Sequence, residues 1–199
     1  DPGGAWVRAM PVVFVLIWST GFVVARLGMP HAPPMTFLAW RFALSAALFV
    51  LWVAASRAAW PQGRMQVMHL AVTGILMHGG YLGGVWAAVK LGLGAGTAAL
   101  IVGLQPLLTA VWMSLQGPAH RVMPRQWLGL ALGLAGLLLV VYHRLAAGQA
   151  QALNLVLAVL ALASITVGTL YQKRWVAPCD VRSAAVVQLL AAFAVTAPL

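Results

Sequence analysis

Acidic residues are almost missing from this chain. There are two in 199, Asp1 and Asp180, and neither lies inside an apolar run. That scarcity excludes a paired-carboxylate acid/base site. It also excludes a cation exporter that trades a proton for its cargo at a carboxylate within the membrane. Cysteine occurs once, as Cys179, which leaves no disulfide framework and no thiolate metal cluster. Nothing resembles an assembled nucleophile or a set of metal ligands, so the chain is not expected to be an enzyme or to carry a metal or organic cofactor. Charge of either sign is sparse, at 7% of residues, where a soluble domain has about 25%.

Apolar side chains are abundant, at 63% of residues. This composition defines an integral membrane protein whose first partner is the lipid bilayer. Twelve basic residues against two acids give a net charge of +10. In a soluble protein that balance would suggest nucleic acid. Here most basic residues fall between apolar segments, which fits membrane topology, and no nucleic-acid partner is expected.

Seven apolar segments approach the ~20 residues that a spanning helix needs. They are Pro11–Gly28, Met35–Ala55, Val67–Val89, Ala95–Leu115, Trp127–Val141, Ala152–Tyr171 and Ser183–Leu199. The fifth is short and should extend toward Arg144. Short connections make sequential helices antiparallel neighbours. With the N-terminus inside, eight basic residues lie on inner loops (Arg8, Arg57, Arg64, Arg121, Arg125, Lys173, Arg174 and Arg182) and two, Lys90 and Arg144, on outer ones. That bias assigns a cytoplasmic N-terminus. The chain lacks an initiator Met and stops within an apolar run, so it is expected to be a piece of a longer protein.

The fourth segment is the most informative. It begins Gly-rich and carries Gln105-Pro106 near its middle. Proline removes the donor that would meet the Val102 carbonyl and crowds the preceding turn. A freed carbonyl in hydrocarbon is costly unless protein or water satisfies it. Two readings stand: the break, with Gly103 and Pro106 as its kink or hinge, walls a polar cavity, or it only improves packing while Gln105 bonds a neighbouring helix. Elsewhere, Gly79, Gly80, Gly83 and Gly84 in the third segment and Gly129, Gly133 and Gly136 in the fifth have the small-residue spacing of close helix packing.

Few polar groups lie at depth. Arg41 sits about two turns into the second segment. It either faces the bundle interior and attracts an anionic or zwitterionic substrate, or snorkels to an interface ~8 Å away. His78 and Tyr81 lie three residues apart in the third segment, on one helical face, and His78 is a candidate proton carrier or a structural hydrogen-bonding residue. Trp18, Phe22 and Arg26 share a face of the first segment, Trp18 as a candidate binding wall and Arg26 as an interfacial anchor. At a fixed offset Gly21 pairs with Gly168, Arg26 with Lys173 and Arg41 with Gln188. Five helices separate the copies, so the second would enter the membrane inverted, an architecture common in secondary transporters.

The segments VFVLIWSTGFVVARLG, PMTFLAWRFALSAALF, GLGAGTAALIVGLQPLLTA, GLALGLAGLLLV and ASITVGTLYQKR resemble the EamA family of the drug/metabolite transporter superfamily. The Gln105-Pro106 helix is the most specific part, followed by WSTGF and the Arg41-Phe42 pair. The resemblance implies an all-α polytopic bundle. One five-helix repeat would span residues 8–144, and the first two helices of an inverted second repeat would span 152–199. It also implies a secondary transporter of the bacterial inner membrane. Such a protein exports small metabolites, amino acids or related compounds among them, by alternating access, with a homodimer as one assembly. Trp18, Arg41, His78, Tyr81 and Gln105 are the candidate substrate contacts. A non-transporting membrane subunit and a membrane-embedded lipid-modifying enzyme are the competing readings. The absence of a Glu in the first helix argues against the four-helix small multidrug resistance branch.

Overall fold

A computed structural model describes residues 2–116, 123–146 and 151–198. Asp1, Arg121 of the basic loops and Leu199 at the end of the seventh segment lie outside the described residues. Seven helical rods follow one another: α1 (Pro2–Gly28), α2 (Pro34–Ser56), α3 (Arg64–Lys90), α4 (Ala95–Leu115), α5 (Pro124–Ala146), α6 (Ala152–Trp175) and α7 (Val181–Thr196). Among the described residues there is no strand. The first six rods each contain a stretch long and apolar enough to cross a bilayer, and α7 is a shorter apolar helix. The hydropathy pattern located every rod, because a backbone in hydrocarbon must satisfy its own hydrogen bonds and a helix does so segment by segment.

The rods alternate in direction. At one end Ser183 Oγ donates to the Ala59 carbonyl at 2.7 Å, and Gln66 Nε2 to the Ala177 carbonyl at 3.2 Å. These bonds tie the α2–α3 and α6–α7 connections together at what we term the basic end. At the opposite end Lys90 Nζ donates to the Met29 carbonyl at 2.6 Å, and Asn154 Nδ2 to the Leu91 carbonyl at 3.2 Å.

The helix ends are specified locally. Pro34 opens α2, where its missing N–H costs nothing and its fixed φ suits a helix. Gln151 and Asn154 cap α6 reciprocally, each side chain accepting the other's backbone N–H. Asp180 caps α7 by accepting from the Arg182 N–H at 2.9 Å. After α3 the chain reverses at Gly92, whose φ of +92° a side chain would resist.

Helix α3 is the hub. It packs along α6 and α7 and also touches α1, α2 and α4. Its glycines bring backbones together. A Cβ on Gly74 would strike the backbone of Gln188 in α7, and one on Gly80 would strike the Ser164 side chain in α6. On Gly84 it would lie 2.9 Å from Ala161 Cβ. Gly168 of α6 returns the arrangement, with Met77 Cγ only 2.6 Å from its hypothetical Cβ. Where no hydrophobic drive operates between helices, such proximity gives the dispersion contact that holds them.

Two features depart from expectation. First, α3 is not a uniform α-helix. Ile75–Gly80 forms a π-helical turn, and Ser164 Oγ donates to the Leu76 carbonyl there at 2.8 Å. Second, the α5 glycines do not pack: no described atom lies within 4 Å of a Cβ built on Gly129, Gly133 or Gly136. That helix buries Leu137 and touches the start of α4.

Candidate functional site

Four of the five expected contacts converge. Phe37 and Arg41 stand one helical turn apart on α2, so both reach the same partner on α3. That partner is Trp86, 1% exposed. Phe37 meets it with ring centroids 4.9 Å apart, and the Arg41 guanidinium carbon sits 6.0 Å from its centroid. Guanidinium over indole is a favourable cation–π arrangement. The cation also lies within electrostatic reach of Tyr81 and His78, and Trp18 adjoins the Tyr81 side chain. His78 is placed between Phe42, at a ring separation of 6.1 Å, and Gln188 of α7. Phe14, Trp18 and Phe22 form an aromatic column on α1 beside this group, Trp18 and Phe22 meeting edge to face at 5.2 Å.

Arg41 is therefore turned toward an aromatic and polar group, while part of its surface stays open. Among the described residues it has no hydrogen-bond or carboxylate partner. The sole described carboxylate, Asp180, lies at the basic end in an ion pair with Arg182 at 2.6 Å.

Gln105 is held elsewhere. Its Nε2 donates to Thr169 Oγ1 of α6 at 3.1 Å, and the Thr169 hydroxyl in turn donates to the Ile165 carbonyl at 2.8 Å. The amide thus pins the broken helix to its neighbour, which was the packing alternative. The break itself is present. The α4 helix divides into Ala95–Val102 and Gln105–Leu115, joined by a tight turn in which the Leu104 N–H reaches the Ile101 carbonyl at 3.1 Å. Pro106 opens the second piece as expected, and Gly103 closes the first.

Sequence reasoning missed three parts. Trp86 was one apolar residue among many, although the Phe37–Arg41 spacing opposite an aromatic helix is the signal that points to it. Gln188 entered only as the repeat partner of Arg41. His69, near the basic end of α3, has no distinguishing sequence pattern, yet its Nδ1 is 2.6 Å from the Tyr171 hydroxyl and its ring stacks on Trp175 at 5.8 Å. These partners are remote in sequence, and no local pattern announces them.

Apolar rods alternating through a bilayer thickness, with the polar groups of α1, α2 and α3 turned toward one another, define a polytopic helical membrane protein. The comparisons with known proteins make the class specific. The model of the EamA-like transporter family matches residues 6–142, and the chain belongs to that family. A "Probable amino-acid metabolite efflux pump" of Salmonella typhimurium is 24% identical over 165 residues, 83% of this chain and 52% of that protein. The "Uncharacterized inner membrane transporter YedA" of Escherichia coli is 28% identical over 125 residues, 63% of this chain and 40% of the relative. An "Uncharacterized transporter" of Archaeoglobus fulgidus is 26% identical over 128 residues, 64% and 43% of the two chains. The chain spans about half the length of the curated relatives it matches. No solved structure matches it.

Proposed function

We propose that this chain contributes to a secondary transporter that exports small metabolites carrying an acidic group, amino acids or related compounds among them. The protein works by alternating access in a bacterial inner membrane, with its N-terminus in the cytoplasm. The observation that carries this reading is Arg41, set on Trp86 beside Tyr81, His78 and Trp18, in a chain with no membrane carboxylate to neutralise it. A substrate carboxylate would supply the missing charge, and the aromatic faces would receive the apolar part of the solute. Relatives named as an amino-acid metabolite efflux pump favour the same substrate class.

The repeat organisation is part of the proposal: residues 8–144 as one five-helix unit and 152–199 as the start of its inverted copy. Support comes from α2 and α7, the second helix of each unit. They pack extensively and run in opposite directions, as inversion requires. Arg41 and Gln188, matched by the repeat, both neighbour His78. Gly103 and Pro106 would absorb backbone movement between the two pieces of α4.

The test is transport by the full-length protein in liposomes. Arg41→Met keeps the side-chain bulk and removes the charge. It should reduce export of acidic solutes by about tenfold or more, the equivalent of one lost charge-assisted bond. Arg41→Lys should retain part of the activity. Equal export by all three proteins at matched expression would remove Arg41 from the site.

A further inference from the structure

The end of the molecule opposite the basic loops holds a feature that the Arg41 group does not use. A cavity of about 890 Å³ opens between the C-terminal ends of α1 and α3 and the N-terminal ends of α4 and α6. None of Trp18, Arg41, His78, Tyr81 or Gln105 lines it. Two cations do: Arg26, in the last turn of α1, and Lys90, in the last turn of α3. Thr97, Gln151 and Asn154 add hydroxyl and amide groups to its wall.

A basic residue in the last turn of a helix complements the macrodipole, and that alone would explain why each position is charged. It does not explain a cavity of this size between the two. Lys90 spends one N–H on the Met29 carbonyl, which fixes the ammonium at the rim and leaves its other two N–H groups free. Arg26 makes no hydrogen bond to protein among the described residues. No described carboxylate is at this end, because Asp180 belongs to the other. Gly92 and Gly96 line the cavity, and a Cβ on either would meet nothing within 4 Å. Two like charges facing one polar cavity without a counterion repel each other unless an anion joins them.

We propose that this vestibule binds one oxyanion group, a phosphate or carboxylate, bridged by Arg26 and Lys90. The anion comes either from the headgroup of an anionic phospholipid or from a free solute at the membrane face. The site is separate from the Arg41 group, and its occupancy does not depend on transport.

The experiment is a thermal-unfolding titration of the purified full-length protein in a neutral detergent. One arm uses short-chain phosphatidylglycerol with phosphatidylcholine as the zwitterionic control, and the other uses inorganic phosphate and acetate. The expected result is stabilisation in at least one anionic arm and none from phosphatidylcholine. A response confined to phosphatidylglycerol assigns a lipid, and a response to phosphate or acetate assigns a free anion. Arg26→Gln, which breaks no bond within the protein, should weaken the apparent affinity about tenfold, one charge-assisted contact. Gly96→Leu should abolish the response by filling the cavity while leaving both cations in place. Arg26→Gln in the full-length protein should still export acidic solutes, so loss of anion binding here is separable from loss of transport at Arg41. No stabilisation in either arm, or stabilisation unchanged in both Arg26→Gln and Gly96→Leu, overturns the proposal.

Discussion

Helices α3 and α5 both carry glycines three or four residues apart, and the two sets behave differently. In α3 the missing side chains are occupied by neighbours: Gln188 lies over Gly74, Ser164 over Gly80 and Ala161 over Gly84. In α5, Gly129, Gly133 and Gly136 face open space among the described residues. Small-residue spacing is thus a capacity for close approach rather than a contact. Whether it is used depends on what the rest of the chain brings alongside. Around α3 the chain brings α6 and α7, fixed at the basic end by Ser183 and Gln66 and at the other by Asn154.

The sharpest way to break the comparison is Gly74→Val. The new side chain meets backbone, which cannot rotate away, so the loss should be about 3 kcal/mol or more and the variant should fail to give a monodisperse protein. Gly129→Val in α5 is the matched control and should purify normally. Size-exclusion profiles and thermal unfolding of the pair in detergent decide it, and equal behaviour would erase the distinction drawn here.

Gly168→Ala should be milder. Its Cβ meets the flexible Met77 side chain and Leu76 Cβ, so part of the overlap relaxes and about 1–3 kcal/mol is lost. A double change with Met77→Ala should recover a portion of that, which a thermal-unfolding cycle would detect. Gly129→Ala goes the other way. With nothing to strike, it keeps only the gain in helix propensity, up to about 1 kcal/mol, read as a small rise in unfolding temperature. Destabilisation by this change would reveal a partner on α5.

The smallest effect is expected at the exposed start of α7. Arg182 holds the Asp180 carboxyl at about 2, first through its side-chain hydrogen bonds and then through its backbone N–H. An unfolded aspartate titrates at about 4. The folded value is the lower one, so the contribution is complete above about pH 4 and is lost as pH falls toward 2. Asp180→Asn should be slightly less stable than the parent at neutral pH, and the gap should close across that acid window. A constant gap in unfolding temperature from pH 2 to 5 would contradict it.

The rods were legible because hydropathy is a property of consecutive residues. Ala95–Leu115 and the reversal between α3 and α4 could be read almost residue by residue, and so could the interruption at Pro106. The site was legible in its members more than in its assembly. Arg41, Tyr81 and His78 stood out as polar groups in apolar runs, but Trp86 had no polarity to mark it. Gln105 stood out too, and its bond to Thr169 depends on a helix that lies far along the chain. The π turn was invisible for a different reason. Gly79-Gly80 is compatible with an ordinary helix, and the choice is made by tertiary contacts such as the one from Ser164 to the Leu76 carbonyl.

That wide turn has a mechanical consequence. It works as a swivel between two rods with separate bearings, the first keyed to α7 at Gly74 and the second to α6 at Gly84. Winding Ile75–Gly80 as a regular α-helix, with no residue removed, would turn Tyr81 and Trp86 about 100° away from Arg41, because the wide turn absorbs one extra residue. The register of the aromatic group is thus stored in a single surplus residue of α3.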